Sequence, residues 1–281
     1  MCLVLTAWQT HPQYPLVVLA NRDEFYERPT EPMNWWKDHP HILAGKDKAD
    51  VLGESGTWMG INKNGKFAVL TNIRSPNEKN PAARTRGEIT AKYLINQHTP
   101  EEFITTHEKS FSRYNGFNFL ATDLSQKTPQ LIWLSNRIWM GDHFRARKIV
   151  KPQQLNPGLY GLSNGTLDSP WPKVQHRISA FAQLLAMDTG EFKKAGQYLH
   201  IMEDPTQAPD EKLPQTGVSY EWEKMLSSAF IKTKLYGTRS ISLIRVRHDG
   251  HFEVMEKCFD AQKEIGLQVF EGQLQQPPLI A

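Results

Sequence analysis

Cys2-Leu3-Val4-Leu5-Thr6-Ala7-Trp8, a polar stretch from Gln9 to Pro15, and then Leu16-Val17-Val18-Leu19-Ala20-Asn21-Arg22-Asp23-Glu24 open the chain. Two short apolar runs across a polar turn read as a pair of buried strands. The first starts directly behind the initiator methionine with a cysteine. Trimming of that methionine, normal before a small residue, leaves one residue with both a thiol and a free α-amine. The thiolate is the nucleophilic form, and a free cysteine titrates near ~8.5. An α-amine titrates near ~8 and is able to take the thiol proton, so base and nucleophile sit on one residue. The plainer reading of Cys2 is a small buried hydrophobe.

Further strands follow outward from this pair. Thr57–Ile61 and Phe67–Asn72 flank Asn64-Gly65, a dipeptide that favours a type I′ hairpin because both residues accept positive φ. Ser240–Arg247 and Phe252–Cys258 repeat the pattern around Asp249-Gly250, with Ile244 and Val246 alternating with Arg245 and Arg247 as in a half-buried strand. Phe117–Ala121 and Leu131–Leu134 read as another pair. Thr99-Pro100-Glu101-Glu102 carries an N-cap, a first-turn proline and a capping-box glutamate. After Pro172, the residues Val174, Ile178, Phe181 and Leu185 form one helical stripe. Residues 87–98 and 191–202 give weaker helical patterns. Hairpins rather than strict β-α-β alternation predict an α+β fold with antiparallel sheets and helices packed outside.

With 281 residues the chain is long enough for a sizeable core. Two cysteines, Cys2 and Cys258, make no disulfide framework, and no Cys/His cluster marks a structural metal. No apolar run approaches the ~20 residues of a membrane span, and the N-terminus lacks a signal-peptide pattern, which predicts a cytoplasmic protein. A net charge of +3 without a dense basic tract gives no sign of nucleic-acid binding. The oligomeric state is not legible.

Polar residues gather at the ends of the expected strands. Asn21-Arg22-Asp23-Glu24 ends the second, Asn72 ends the strand after the first hairpin, Asn164 follows Leu159–Ser163, and Arg239 starts the last hairpin. A thiolate attacking an acyl carbon needs donors for the developing oxyanion, and Asn72 and Asn164 supply them. Arg22 or Arg239 would hold the thiolate and Asp23 the amine. Each residue has a plainer reading, as a turn former or a surface ion pair.

At these residues the chain is identified as resembling the NRDE family, also called the transport and Golgi organisation protein 2 family. The resemblance rests on Met1-Cys2, Leu19–Tyr26 with Arg28-Pro29, Gly56–Ile61, Ala68–Asn72, Arg86-Gly87-Glu88, Tyr114–Asn118, Tyr160–Asn164 and Tyr236–Arg239, in family order. It implies a single domain over 1–281 and, through the wider N-terminal-nucleophile hydrolase superfamily, a four-layer αββα sandwich of two antiparallel sheets. Beside that superfamily's bile-salt-hydrolase and penicillin-V-acylase branch, Cys2 falls on the nucleophile, Asn72 and Asn164 on oxyanion positions and Arg239 on the late arginine. That branch spaces its Arg and Asp three apart, whereas Arg22 and Asp23 are adjacent and alternate faces of a strand unless it ends or bulges there.

The family resemblance implies intracellular haem trafficking, or handling of lipid and acyl-CoA, with haem as cargo and no metal cofactor. The partner is then a small apolar or amphipathic ligand. Eight tryptophans offer flat surfaces for one, although most tryptophans of a globular chain are core. The alternative function is a cysteine amidohydrolase or thioesterase with Cys2 as nucleophile. Both readings use one set of residues: Cys2, Arg22, Asn72, Asn164 and Arg239, with Asp23 added for catalysis.

Overall fold

The computed structural model describes residues 2–49, 56–147, 150–190 and 195–276. In chain order the first strands are β1 (Cys2–Trp8), β2 (Leu16–Phe25), β3 (Thr30–Trp35), β4 (Ile42–Asp47), β5 (Met59–Asn62) and β6 (Lys66–Asn72). Helices α1 (Gly87–Ile95) and α2 (Pro100–His107) come next. They are followed by β7 (Phe117–Asp123), β8 (Leu131–Ser135), β9 (Arg137–Trp139), β10 (Phe144–Ala146), β11 (Gln153–Leu155) and β12 (Gly158–Leu162). Helices α3 (Pro172–Met187), α4 (Ala195–Ile201) and α5 (Tyr220–Met225) precede β13 (Tyr236–Val246), β14 (His251–Phe259) and β15 (Glu264–Gln273). The fold is α+β, with two large antiparallel sheets, one in each of two compact units.

The first unit takes residues 1–27, 157–247 and 252–271, and its sheet runs β12-β1-β2-β13-β14-β15. Every residue of β1 is buried, which is why its sequence is an unbroken apolar run instead of an alternation. One face packs against α3 and α4. Leu3, Leu5, Leu19, Leu243 and Met255 of the strands meet Val174, Phe181, Leu185, Tyr198 and Leu199 there. The stripe expected after Pro172 thus points inward, with Ile178 partly buried at its margin.

In the second unit, residues 28–156, 248–251 and 272–281, the sheet runs β11-β8-β7-β6-β5-β4-β3. Helices α1 and α2 cover it through Ile89, Tyr93, Leu94, Phe103 and Ile104. The capping box at Thr99 is formed: its side chain accepts from the Glu102 amide at 3.3 Å, and Glu102 accepts from the Thr99 amide at 2.9 Å.

Several expectations are corrected in detail. Neither Asn-Gly nor Asp-Gly forms a type I′ turn, because only Gly65 (φ 100°) and Gly250 (φ 83°) have positive φ. The Gly65 amide donates to the Asn62 carbonyl at 3.1 Å, so Lys63 and Asn64 turn conventionally and glycine takes the left-handed position after them. Arg245 lies on a strand buried on both faces, not on a half-solvated one. Its guanidinium is 0% exposed, between Asp188 and Glu253. Asn21-Arg22-Asp23-Glu24 lies at the end of β2, which closes one residue later at Phe25. The helical pattern expected over 191–202 is observed as α4; residues 191–194 and Met1 lie outside the described residues. Trp8, Trp36 and Trp133 are core, while Trp139 and Trp222 are 38% and 39% exposed. Among the described residues no helix is long and apolar enough to cross a membrane.

Candidate functional site

In the first unit, the register of the central strands sets the site. Cys2 of β1 stands directly opposite Arg22 of β2, Arg22 opposite Ser240 of β13, and Ser240 opposite Cys258 of β14. Directly paired residues on antiparallel strands project from the same face. Cys2, Arg22, Ser240 and Cys258 therefore form one row across four strands, on the face opposite α3 and α4. All four are buried.

Two neighbours hold Cys2 in place. Its amide donates to the Asn164 side-chain oxygen at 3.3 Å, and its carbonyl accepts from the Ser163 hydroxyl at 2.8 Å. Both come from the segment that leaves β12, and Asn164 is wholly buried. The same segment is tied back by Asp168, whose carboxylate accepts from the Gly161 amide at 2.7 Å. Asp168 adopts φ 53°, a left-handed conformation that aspartate tolerates. Burial pushes the Cys2 thiol above its ordinary value; the Asp23 charge adds to that, and the Arg22 charge and a hydrogen bond from the Asp23 backbone oppose it.

Because β2 stays extended through Arg22 and Asp23, their side chains part. The Asp23 carboxylate accepts from the Thr238 hydroxyl at 2.7 Å, while its carbonyl accepts from the Tyr236 hydroxyl at 3.0 Å. Burial raises the Asp23 pKa, and the Lys173 ammonium at the start of α3 works against the rise. Arg22 is thus the member of the pair that shares the Cys2 face, and Asp23 reaches Cys2 through its backbone.

The irregularity that alternation called for lies one strand over, in β13. Between Thr238 and Ser240 the register against β2 shifts, leaving Arg239 as the inserted residue. The Arg239 guanidinium donates to the carbonyls of Phe25 and Tyr26 at 2.9 and 3.2 Å and sits 5.9 Å from the Tyr26 ring centroid. Burial lowers its pKa, and the neighbouring Arg22 charge lowers it further. Two guanidinium groups accordingly share one neighbourhood. Gly237, at the foot of the bulge, admits no side chain: a Cβ there would lie 2.1 Å from the Tyr26 hydroxyl and 2.5 Å from the Ile231 carbonyl. Gly237→Ala should therefore lower stability by about 1–3 kcal/mol, read as a lower denaturation midpoint, and a midpoint equal to wild type would show that the bulge is not constrained there.

Of the expected site residues, the structure brings together Cys2, Arg22, Asn164 and Arg239 in the first unit. Asn72 belongs to the second unit, where it closes β6 opposite Phe117. Sequence reasoning missed Ser163, Ser240 and Lys173. Ser163 was adjacent to a recognised residue; Ser240 and Lys173 have no local signal, because only the strand register and the packing of α3 bring them in.

A family model, Transport and Golgi organisation 2, matches residues 1–261. The chain belongs to the Transport and Golgi organisation 2 family. Relatives within that family include the Transport and Golgi organization protein 2 homolog of Bos taurus, 32% identical over 267 residues, and that of Homo sapiens, 31% identical over 272. Each alignment covers 92% of both chains. Among solved structures, the chain is similar to a mutant of conjugated bile acid hydrolase from Clostridium perfringens, with a TM-score of 0.42, 9% identity and coverage of 98% and 92%. In this Transport and Golgi organisation 2 family member, the match to the family model takes in Cys2, Arg22, Asn164 and Arg239.

Proposed function

We propose that this protein binds an amphipathic anion, haem or an acyl compound, and hands it on to an acceptor. The observation that carries this reading is the pair Arg22 and Arg239. The charge of Arg22 lowers the pKa of Arg239, an anion placed between the two guanidinium groups relieves that repulsion, and both are able to grip a carboxylate or phosphate through parallel N–H donors. Haem propionates and the phosphates of an acyl-CoA meet that requirement equally, and the family resemblance supplies the haem and acyl candidates. A thiol held protonated by burial beside the pair suits a ligand that binds and leaves. Haem titration should give a saturable Soret shift, and the loaded protein should pass haem to an apo-acceptor. Binding no tighter than that of serum albumin, without transfer, would overturn the reading.

A second reading has its own support: Cys2 at the second position of the chain, its sulfur beside Arg22 and its nitrogen on Asn164. A cysteine amidohydrolase or thioesterase on this site needs the nitrogen free as a base, hence Met1 removed. For this reading, the intact mass should lack the initiator methionine and Cys2→Ala should abolish turnover of an acyl-amide or thioester. Retained methionine, or undiminished turnover in the variant, excludes an N-terminal nucleophile.

A further inference from the structure

Among the described residues, the sheet of the first unit ends on β15, which has a neighbour on one side only, β14. Edge strands are normally guarded by lysines, prolines, bulges or short length. β15 is ten residues long and its sequence, Glu264-Ile265-Gly266-Leu267-Gln268-Val269-Phe270-Glu271-Gly272-Gln273, contains neither lysine nor proline. Ile265, Leu267 and Val269 alternate along one face and are 56%, 49% and 45% exposed. At the same two-residue spacing as that stripe stand Lys263, in the bend just before β15, and Glu271, near the end of the strand, both exposed. Glu264 is already taken within the chain, 2.9 Å from Lys257 of β14.

This stripe is complementary to itself. We propose that a second copy of this chain pairs with it, β15 against β15, antiparallel about a two-fold axis at Leu267. In that register Leu267 faces its own counterpart, Ile265 faces Val269, and Lys263 faces Glu271 of the second copy, the last two contacts occurring twice by symmetry. The neighbouring registers are worse. An axis at Gly266 sets Glu271 against Ala261 and Lys263 against Val269; one at Gln268 sets Glu271 against Ile265 and Lys263 against Gln273. The charge pattern is complementary to an identical strand laid antiparallel, which favours a second copy as the occupant. The two edges then become the centre of one continuous sheet, and the apolar stripes of the two copies lie side by side on one face.

Sedimentation velocity over a concentration series, from micromolar to hundreds of micromolar, tests the proposal on the full chain. The wild type should reach a dimer. Leu267→Lys should weaken association about tenfold or more, since it sets two like charges together on the axis. Lys263→Glu and Glu271→Lys should each weaken it roughly threefold or more, and the double variant should return to wild type. The reciprocal charge series keeps the test valid even if Leu267→Lys perturbs folding. A wild type that stays monomeric throughout overturns the proposal, as does a dimer indifferent to Leu267→Lys or a double variant no better than the singles.

Discussion

Arg22→Leu is expected to lower affinity for haem or an acyl anion by about tenfold to a hundredfold, the loss of one charge-assisted hydrogen bond worth about 1.5–3 kcal/mol. The position explains why. Arg22 is buried in the middle of the row that joins Cys2 to Ser240, and its charge reaches both the thiol and Arg239. Leucine fills similar space without a charge, so Arg239 is left to hold the anion alone. Arg22→Lys should fall between the two, because an ammonium keeps the charge but not the parallel donors. Haem titration of the three proteins, with circular dichroism to verify their folds, gives the comparison. Equal affinities in all three would remove the arginine pair from the binding account.

The largest effect on stability is expected from Asp188→Ala. Asp188 follows α3 and accepts from the Arg245 guanidinium at 2.8 Å, from the Tyr198 hydroxyl at 2.8 Å and from the Gly190 amide at 2.8 Å. Arg245 also bonds Glu253 across the β13–β14 pair and stacks 5.0 Å from the Tyr14 ring. Alanine leaves Arg245 with Glu253 as its remaining carboxylate and takes the acceptor from the Tyr198 hydroxyl and the Gly190 amide, each buried group left unsatisfied costing about 1–3 kcal/mol. Burial would raise the Asp188 pKa, yet the Gly190 amide, Tyr198 and Arg245 together hold it below the ordinary aspartate value of 3.8. A carboxyl depressed by folding adds stability above its unfolded pKa, and that contribution is lost as the pH falls through the lower, folded value. Wild type should therefore lose its advantage over Asp188→Ala as the medium is acidified below 3.8. A gap between the two that does not narrow there would show that the carboxylate charge is not what stabilises the cluster.

Much of this architecture was legible in the sequence wherever the signal was local. The apolar run of β1, the capping box of α2 and the stripe of α3 each follow from residues close together in the chain. The parts that were not legible depend on partners far away. Arg245 looked like the solvated side of an alternating strand because Asp188, which neutralises it, lies 57 residues earlier. The strands β9 to β11 have three residues each, too few to show a period, and β3, with Glu31-Pro32 and Asn34, carries little apolar signal. At the candidate site, adjacency of Arg22 and Asp23 correctly announced that their side chains would part. That the bulge falls at Arg239, on the neighbouring strand, is set by the pairing of β2 with β13 and leaves no trace in the local sequence.

Whether the ligand occupies the face that carries Cys2, Arg22 and Arg239 is answered most directly by the thiol itself. Burial raises the Cys2 pKa, so alkylation should be slow at neutral pH and quicken above the ordinary thiol range. The decisive measurement is the rate of Cys2 alkylation at alkaline pH, followed by peptide mass, with and without saturating haem or acyl-CoA. Occupancy of the arginine pair predicts strong protection of Cys2 by at least one of the two ligands. A rate unchanged by saturating amounts of both would contradict the account.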